Sequence, residues 1–243
     1  MKKDENNPTR LFDILPLLET RKSRRACFRF GNYELDAAHY VAESKQMAKA
    51  LLAHGLRRGD TVALIAENRP EWNVIDMAVM QAGGILLPLC KGLTAEEYVD
   101  CIGQTNARIL FLENKEIFSR FKLILPQLEG LSEVVLVESE DRKSGYMAMI
   151  EEGRKLDNES ALAKRRDMVT TDDVCSIAYM GGGICNRFTH REILAEVMSL
   201  ASSESNRRQA AAGNNALCTL YGRTKNYVCQ FVGRMVNYPV SAD

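Results

Sequence analysis

Short apolar runs alternate with longer stretches of helical periodicity along most of this chain. Alternation between these two patterns is typical of layered α/β proteins whose largely parallel sheet is flanked by helices. We therefore predict that fold class. The predicted strands are 61–66, 85–89, 108–112, 134–137 and 174–179, and the predicted helices are 36–54, 70–82, 94–103, 116–128 and 189–200.

Local signals fix several of these boundaries. Asp36 is a suitable N-cap for the first long helix, and Gly55 suits the position just after its end. Pro70 can begin the next helix because its missing N–H would have had no partner there, and Gly83-Gly84 should end it.

Changes in composition divide the chain into four parts. Residues 1–25 form an N-terminal extension that begins with the polar stretch 1–10, and 26–137 form a first α/β section. Residues 138–172 are charge-rich and predict a linker with a short helix around 146–156. Residues 173–243 form a second section, in which 202–215 should be a surface loop and 217–236 should hold one more strand and helix.

Length and charge exclude some classes of function. The chain has 243 residues, of which 46% are hydrophobic, enough for a globular unit with a substantial core. Lys plus Arg equals Asp plus Glu at 32 each, so charge does not point to nucleic acid. No apolar run approaches the ~20 residues needed to span a bilayer, and 1–10 does not resemble a secretory signal.

The seven cysteines are odd in number and scattered, and they include no CxxC pair. This usage favours reduced thiols in a cytoplasmic protein. With three histidines and no nearby cysteine pairing, no metal site is predicted.

One ordered unit carries a family resemblance. A strand at 61–66 is followed by Asn68-Arg69-Pro70-Glu71-Trp72, a helix, and then Ala82-Gly83-Gly84 before the strand 85–89. Further along, Asp172-Asp173, Tyr179 and the run 189–194 occur in a matching order. Together they resemble the N-terminal portion of AMP-forming acyl-CoA ligases, closest to the long-chain fatty-acid branch, over most of 26–200.

The resemblance implies a fold, a reaction and ligands. The fold would be part of the N-terminal domain of adenylate-forming ligases, and the reaction would be activation of a fatty acid by ATP. ATP, Mg²⁺ and CoA are the implied cofactors, and fatty acid and ATP the implied partners. The nucleotide-binding candidates by resemblance are Tyr179, Gly181, Gly182, Gly183, Arg187, Thr189 and His190.

The candidate phosphate loop departs from the family pattern. The family's loop is rich in Thr, Ser and Gly and contains a lysine that neutralises phosphate charge, whereas 180–188 is shorter and lacks Ser, Thr and Lys. Three glycines still permit a tight turn with N–H groups facing an anion, and Arg187 could replace the lysine. The alternative is a strand-to-helix connector that binds nothing, and His190 could equally be a packing residue.

A second stretch, Tyr221-Gly222-Arg223-Thr224-Lys225, looks like the family's adenine and metal motif. It follows 189–190 too closely, and Lys225 would repel a metal ion. We interpret it as a divergent counterpart of the strand that follows the phosphate loop.

Two hypotheses follow. The chain could be an acyl-CoA ligase or its N-terminal portion, binding ATP at 180–190 and an acyl group near the carboxyl edge of the sheet. It could instead be a truncated, inactive descendant that serves as a binding or assembly module, because the family's ribose-binding aspartate and C-terminal catalytic lysine are missing from 1–243. The second hypothesis predicts self-association, or a partner, at the truncated face.

Overall fold

The computed structural model describes residues 8–20, 26–139, 144–202 and 215–239. The strands are β1 Ala26–Phe30, β2 Tyr33–Asp36, β3 Thr61–Ile65, β4 Ile85–Pro88, β5 Ala107–Leu112, β6 Glu133–Leu136, β7 Val174–Tyr179, β8 Cys185–Thr189 and β9 Val236–Tyr238. The helices are α1 Ile14–Thr20, α2 Ala37–Ala53, α3 Pro70–Gln81, α4 Ala95–Gln104, α5 Lys115–Phe121, α6 Gly145–Lys155, α7 Glu159–Met168, α8 His190–Ser202 and α9 Leu220–Val232.

The main sheet has six strands in the order β6-β5-β3-β4-β7-β8. Its first five strands are parallel, and β8 pairs antiparallel with β7 at one edge. A smaller sheet has the order β2-β1-β9, with β9 parallel to β1. The predicted layered α/β class with a largely parallel sheet is therefore confirmed.

Successive residues of the central strand β3 point to opposite faces of the main sheet, so each face has its own core. On one face Val62 and Leu64 pack with α1, α2, α3, α8 and α9. On the other, Ala63 and Ile65 pack with α4 and α5. We call these the α3 face and the α4 face.

The β3–α3–β4 unit agrees closely with the sequence prediction. All five residues of β3 are buried, as expected for a central parallel strand. Pro70 occupies the first turn of α3. Gly83, just after that helix, has φ +73°, a conformation that glycine adopts without strain.

The predicted helix at 116–128 is interrupted. Asn114 caps α5 by accepting hydrogen bonds from the N–H groups of Glu116 and Ile117, and the helix ends at Phe121. A separate 3-10 turn, Leu125–Gln127, contains Pro126. Because proline clashes with the preceding turn of a helix, one continuous helix could not include it.

The predicted charged linker contains two helices rather than one. Both pack on α2: Leu162 of α7 is buried in the α3-face core, and Asn158 donates to the carbonyl of Lys49. At Gly153 of α6 an added Cβ would lie 1.9 Å from the carbonyl oxygen of Gln46, so the two backbones are in close contact. The second helix is not predicted from the sequence because the exposed surfaces of α6 and α7 are polar and resemble a linker.

The stretch 221–225 is helical, which corrects its interpretation as a strand. It forms the first half of α9, where Thr219 caps the helix by accepting from the N–H of Gly222. The helix predicted within 217–236 is α9, whereas the strand β9 begins only at the last residue of that range and extends to Tyr238. Most of the predicted loop 202–215 lies outside the described residues, as do 1–7 and 21–25 of the N-terminal extension.

The prediction of reduced cysteines is wrong for one pair. Cys90 and Cys218 form a disulfide with Cα atoms 5.2 Å apart, whereas Cys27, Cys101, Cys175, Cys185 and Cys229 are not in a disulfide. The paired residues are 128 positions apart, so only the fold brings them together.

No helix within the described ranges combines the length and the apolar character that a membrane span requires.

Candidate functional site

The glycine cluster forms the turn of a β-hairpin between β7 and β8. The N–H of Met180 donates to the carbonyl of Ile184 at 2.8 Å, and the N–H of Ile184 donates back to Gly181 at 3.1 Å. Residues 181–183 all have positive φ, which explains three glycines in a row. The glycines therefore do not connect a strand directly to a helix, as the alternative interpretation required, because β8 lies between the turn and α8.

Tyr179, the last residue of β7, ties the hairpin to α4. Its hydroxyl donates to Oε1 of Glu97 at 2.6 Å. This hydrogen bond raises the pKa of Tyr179 and lowers the pKa of Glu97. Glu97 also accepts from the N–H of Thr94 in a capping box that begins α4.

Two further α4 residues meet the hairpin on the same side of the helix. Cys101 is buried in the α4-face core, and Cys185 of β8 packs against the same core. An added Cβ at Gly183 would lie 3.5 Å from Nε2 of Gln104. The spacing of 97, 101 and 104 is that of one helical face. The sequence does not reveal that this side of α4 meets the hairpin, because Glu97 and Gln104 look like ordinary solvated residues. Their helical spacing around Cys101 is the signal that could have indicated it.

Arg187 is exposed on β8. Alternate residues of a strand share a face, so Arg187 is on the same face as Cys185, which packs with the α4-face core. Phe188 is on the opposite face and packs with the α3-face core. Arg187 is thus the nearest cation in sequence to the turn, two positions beyond the start of β8.

Thr189 is committed to helix capping. Its hydroxyl and N–H each donate to Oε2 of Glu192 at 2.8 Å, and the N–H of Glu192 donates to Oγ1 of Thr189 at 3.2 Å. This reciprocal arrangement begins α8, as predicted for a cap at this position.

His190 is buried, 1% exposed, on the side away from the turn. Its Nδ1 accepts from the N–H of Leu11 at 3.2 Å, and its ring meets Phe12 edge-on. Burial, with the charge of Arg10 nearby, lowers the pKa of His190 to about 4. The structure therefore groups Tyr179, the three glycines and Arg187 around the hairpin and uses His190 for packing.

The carboxyl edge of the main sheet is occupied by the chain itself. Nζ of Lys91 contacts Glu67 at 2.6 Å and Glu113 at 3.1 Å across the ends of β3, β4 and β5. Beside them the side chain of Asn68 bonds both the carbonyl of Asn215 and the N–H of Leu217. These contacts and the Cys90–Cys218 disulfide hold 215–218 against this edge.

An open groove of about 420 Å³ lies on the α3 face, between β8, α8 and α9. Apolar side chains line most of it, and carboxylates stand at one side. The lining residues are Phe188, Glu192, Ile193, Glu196, Leu200, Leu220, Tyr221 and Thr224. Within the part of the chain that the structure describes, no cluster of histidine, cysteine and acidic side chains could hold a metal ion.

The largely parallel sheet has an antiparallel hairpin at one edge, and Asn68-Arg69-Pro70-Glu71-Trp72 lead from β3 into α3. Together these features fit the fold of adenylate-forming ligases. The family model described as "AMP-binding enzyme" matches residues 18–220. The chain belongs to this family.

Curated relatives are acyl-CoA ligases. An acyl-CoA ligase of Ajellomyces capsulatus is 26% identical over 194 residues, which cover 69% of this chain and 32% of the relative. Fatty acyl-CoA synthetase A of Dictyostelium discoideum is 23% identical over 186 residues, covering 72% of this chain and 25% of that protein. This chain thus matches a third or less of the length of these relatives.

Solved structures agree on the fold. A long-chain-fatty-acid-CoA ligase from Archaeoglobus fulgidus superposes with a TM-score of 0.82 at 16% identity, over 97% of this chain and 48% of the other. The anthranilate CoA ligase AuaEII, solved with anthranoyl-AMP, gives 0.81 at 18% identity, over 99% and 46%.

Proposed function

We propose that the described part of this acyl-CoA-ligase-like chain is an acyl-group-binding module whose glycine hairpin does not hold the phosphates of ATP. The observation that carries the proposal is the hairpin itself. Its turn is closed by its own backbone hydrogen bonds and fastened to α4 through Tyr179.

The chemistry of the turn disfavours a triphosphate. Phosphate sites combine oriented N–H donors with hydroxyls and a cation. Residues 180–188 contain neither a hydroxyl nor a lysine. The carboxylate of Glu97, which accepts from the hydroxyl of Tyr179 at the end of β7, also adds negative charge near the hairpin. Removing even one positioned donor from a transition-state site typically costs on the order of 10²–10³ in rate, so adenylation at this turn is disfavoured.

The groove between α8 and α9 is the candidate acyl site. Its apolar lining suits an alkyl chain, whereas Glu192 and Glu196 would repel a free carboxylate. The favoured ligand is therefore an acyl chain whose carboxyl group is esterified or joined to another group. The acyl-CoA ligase relatives support this class of ligand.

A fluorescent fatty-acyl ester tests the acyl site directly. Leu220→Gln places a polar group in the groove and should weaken binding at least about fivefold, because burying an unpaired amide costs roughly 1–3 kcal/mol. Leu123→Gln is the matched control, since Leu123 is 84% exposed and is not a groove residue. Equal affinities of the two variants, or no binding to the folded wild type, would reject the acyl site.

ATP binding remains the second candidate, and one observation favours it. Added Cβ atoms at Gly181 and Gly182 would meet nothing within 4 Å, so an anion can reach this backbone, and Arg187 follows on an exposed strand. If ATP binds at the glycine turn, Arg187→Ala should remove most of the affinity for Mg·ATP.

Self-association is a further prediction. β8 lies at an edge of the described sheet, next to the exposed side chains of Met180 and Ile184. Exposed edges with apolar neighbours favour pairing with a second copy. Light scattering should give a mass above that of one chain, and a concentration-independent monomer would contradict the prediction.

A further inference from the structure

The disulfide Cys90–Cys218 attaches the start of α9 to the main sheet. Cys90 lies just after β4, and its carbonyl accepts from the hydroxyl of Tyr98 on α4 at 2.7 Å. Cys218 directly precedes Thr219, the N-cap of α9. A well-fixed point at the carboxyl edge of the sheet is therefore bonded to the residue before the helix cap.

The segment 215–219 packs directly on the first turn of α9. Thr219 accepts from the N–H of Gly222 through Oγ1 and from the N–H of Arg223 through its carbonyl, both at 3.1 Å. Its hydroxyl donates to the carbonyl of Ala216 at 2.8 Å. An added Cβ at Gly222 would lie 2.1 Å from that same carbonyl oxygen. The segment thus positions the cap, and the disulfide positions the segment.

A second anchor of α9 is Arg223, which is buried and pairs with Asp76 of α3 at 2.7 Å. Leu220 and Tyr221 come before this anchor, and both line the groove on the α3 face. The part of α9 between the disulfide and Arg223 is therefore also part of the groove wall.

From these contacts we infer that Cys90–Cys218 is a reducible clamp on the groove. The oxidised form holds the first turn of α9 in place, and reduction releases that turn and loosens the groove wall. Control of the turn does not depend on which ligand the chain binds, whereas control of ligand binding rests on the acyl site proposed above.

A dithiol supplies the electrons. Both cysteines are half-buried, so a small thiolate can reach the bond. One thiolate of the reductant attacks Sγ of Cys218, the protein disulfide breaks, and Cys90 leaves as a thiolate that takes up a proton. The second thiolate of the reductant then attacks its own sulfur in the mixed disulfide and releases Cys218. In total the protein disulfide gains two electrons and two protons, and the dithiol is oxidised to a disulfide.

Amide exchange of the whole chain, followed by NMR in oxidised and dithiothreitol-reduced protein, tests the clamp. Reduction should speed exchange of the Gly222 and Arg223 amides at least about tenfold, because both donate to Thr219. The amides of Gly233 and Arg234, at the other end of α9, should not change. Unchanged exchange at 222–223 in protein shown by alkylation to be reduced would overturn the inference. Equal acceleration at both ends of the helix would also overturn it, because the disulfide would then stabilise the whole fold rather than one turn.

Cys90→Ala repeats the test without a reductant and without altering α9. This variant should show fast exchange at 222–223 under oxidising conditions. The matched control Cys27→Ala, in the smaller sheet and outside the disulfide, should exchange as slowly as the oxidised wild type. Slow exchange at 222–223 in Cys90→Ala would overturn the inference.

The fluorescent fatty-acyl ester separates the clamp from the acyl site. Reduction should weaken its binding about three- to tenfold, because the binding-competent arrangement of the first turn becomes a minor population. No binding to the oxidised protein would reject the acyl site, and the exchange rates alone would then decide the clamp. Equal affinities of the oxidised and reduced protein, with exchange accelerated, would overturn control of the groove.

Discussion

The two faces of the main sheet hold their helices by different means. On the α3 face, Arg223 of α9 is 1% exposed and donates to Asp76 of α3 at 2.7 Å, and its guanidinium also bonds Ser176 and Tyr227. On the α4 face the hairpin is joined to its helix by the partly exposed pair Tyr179 and Glu97. A buried ion pair is strongly coupled to folding, whereas the exposed joint can change without unfolding the chain.

The largest expected effect is on the α3 face. Arg223→Met leaves Asp76 as an uncompensated buried charge and should lower the free energy of unfolding by about 3–5 kcal/mol. Asp76→Asn in the same background should recover part of that loss because it removes the charge. Urea unfolding followed by circular dichroism measures both changes.

The matched change on the other face is Arg187→Ala, which should alter stability by less than about 0.5 kcal/mol because Arg187 is exposed. Similar losses for Arg223→Met and Arg187→Ala would remove the contrast between the faces.

Two glycine-to-alanine substitutions, one in a helix on each face, compare how tightly those helices are packed. Gly153→Ala in α6 would force a Cβ against the backbone of Gln46 and should cost about 1–3 kcal/mol. Gly103→Ala in α4 meets nothing within 4 Å and should stabilise the protein by up to about 1 kcal/mol, through helix propensity. Thermal unfolding midpoints should therefore move in opposite directions, and a shift in the same direction would contradict this packing.

A further small effect depends on pH. Burial opposes protonation of His54, but hydrogen bonds to Glu152 and Glu133 outweigh it and raise the pKa of His54 above 6.5. The contribution to stability is therefore complete below pH 6.5 and is lost as pH rises through the raised pKa. The groups are partly exposed, so the loss should stay below about 1 kcal/mol.

Urea midpoints measured between about pH 6 and pH 8 should fall for the wild type and fall less for His54→Gln. Equal slopes for the two proteins would show that this histidine does not link α2 to β6 and α6.

The same contrast explains what could be predicted from sequence. The β3–α3–β4 unit was predictable because buried strands leave continuous apolar runs, and because Pro70 and Gly83 mark the helix ends. β8 was missed because Asn186 and Arg187 are exposed, so this strand leaves no apolar run. The glycine turn itself was predicted, but its attachment to α4 depends on residues some 80 positions earlier in the chain (179 − 97 = 82).

The family resemblance misled at α9. It makes 221–225 a counterpart of the strand that follows the family's phosphate loop, whereas Arg223, Tyr227 and Gln230 lie three and four positions apart on the buried side of a helix. Polar residues at that spacing look solvent-facing in a sequence. Only the fold shows that Arg223 donates to Asp76 and that Gln230 accepts from the hydroxyl of Tyr40.

The most direct test of the central claim is calorimetric titration of the folded chain with Mg·ATP. We predict no saturable heat for the wild type, because the turn lacks hydroxyls and a lysine and lies beside Glu97. Saturable binding to the wild type that is lost in Arg187→Ala would contradict this account and would establish the glycine hairpin as a working phosphate site.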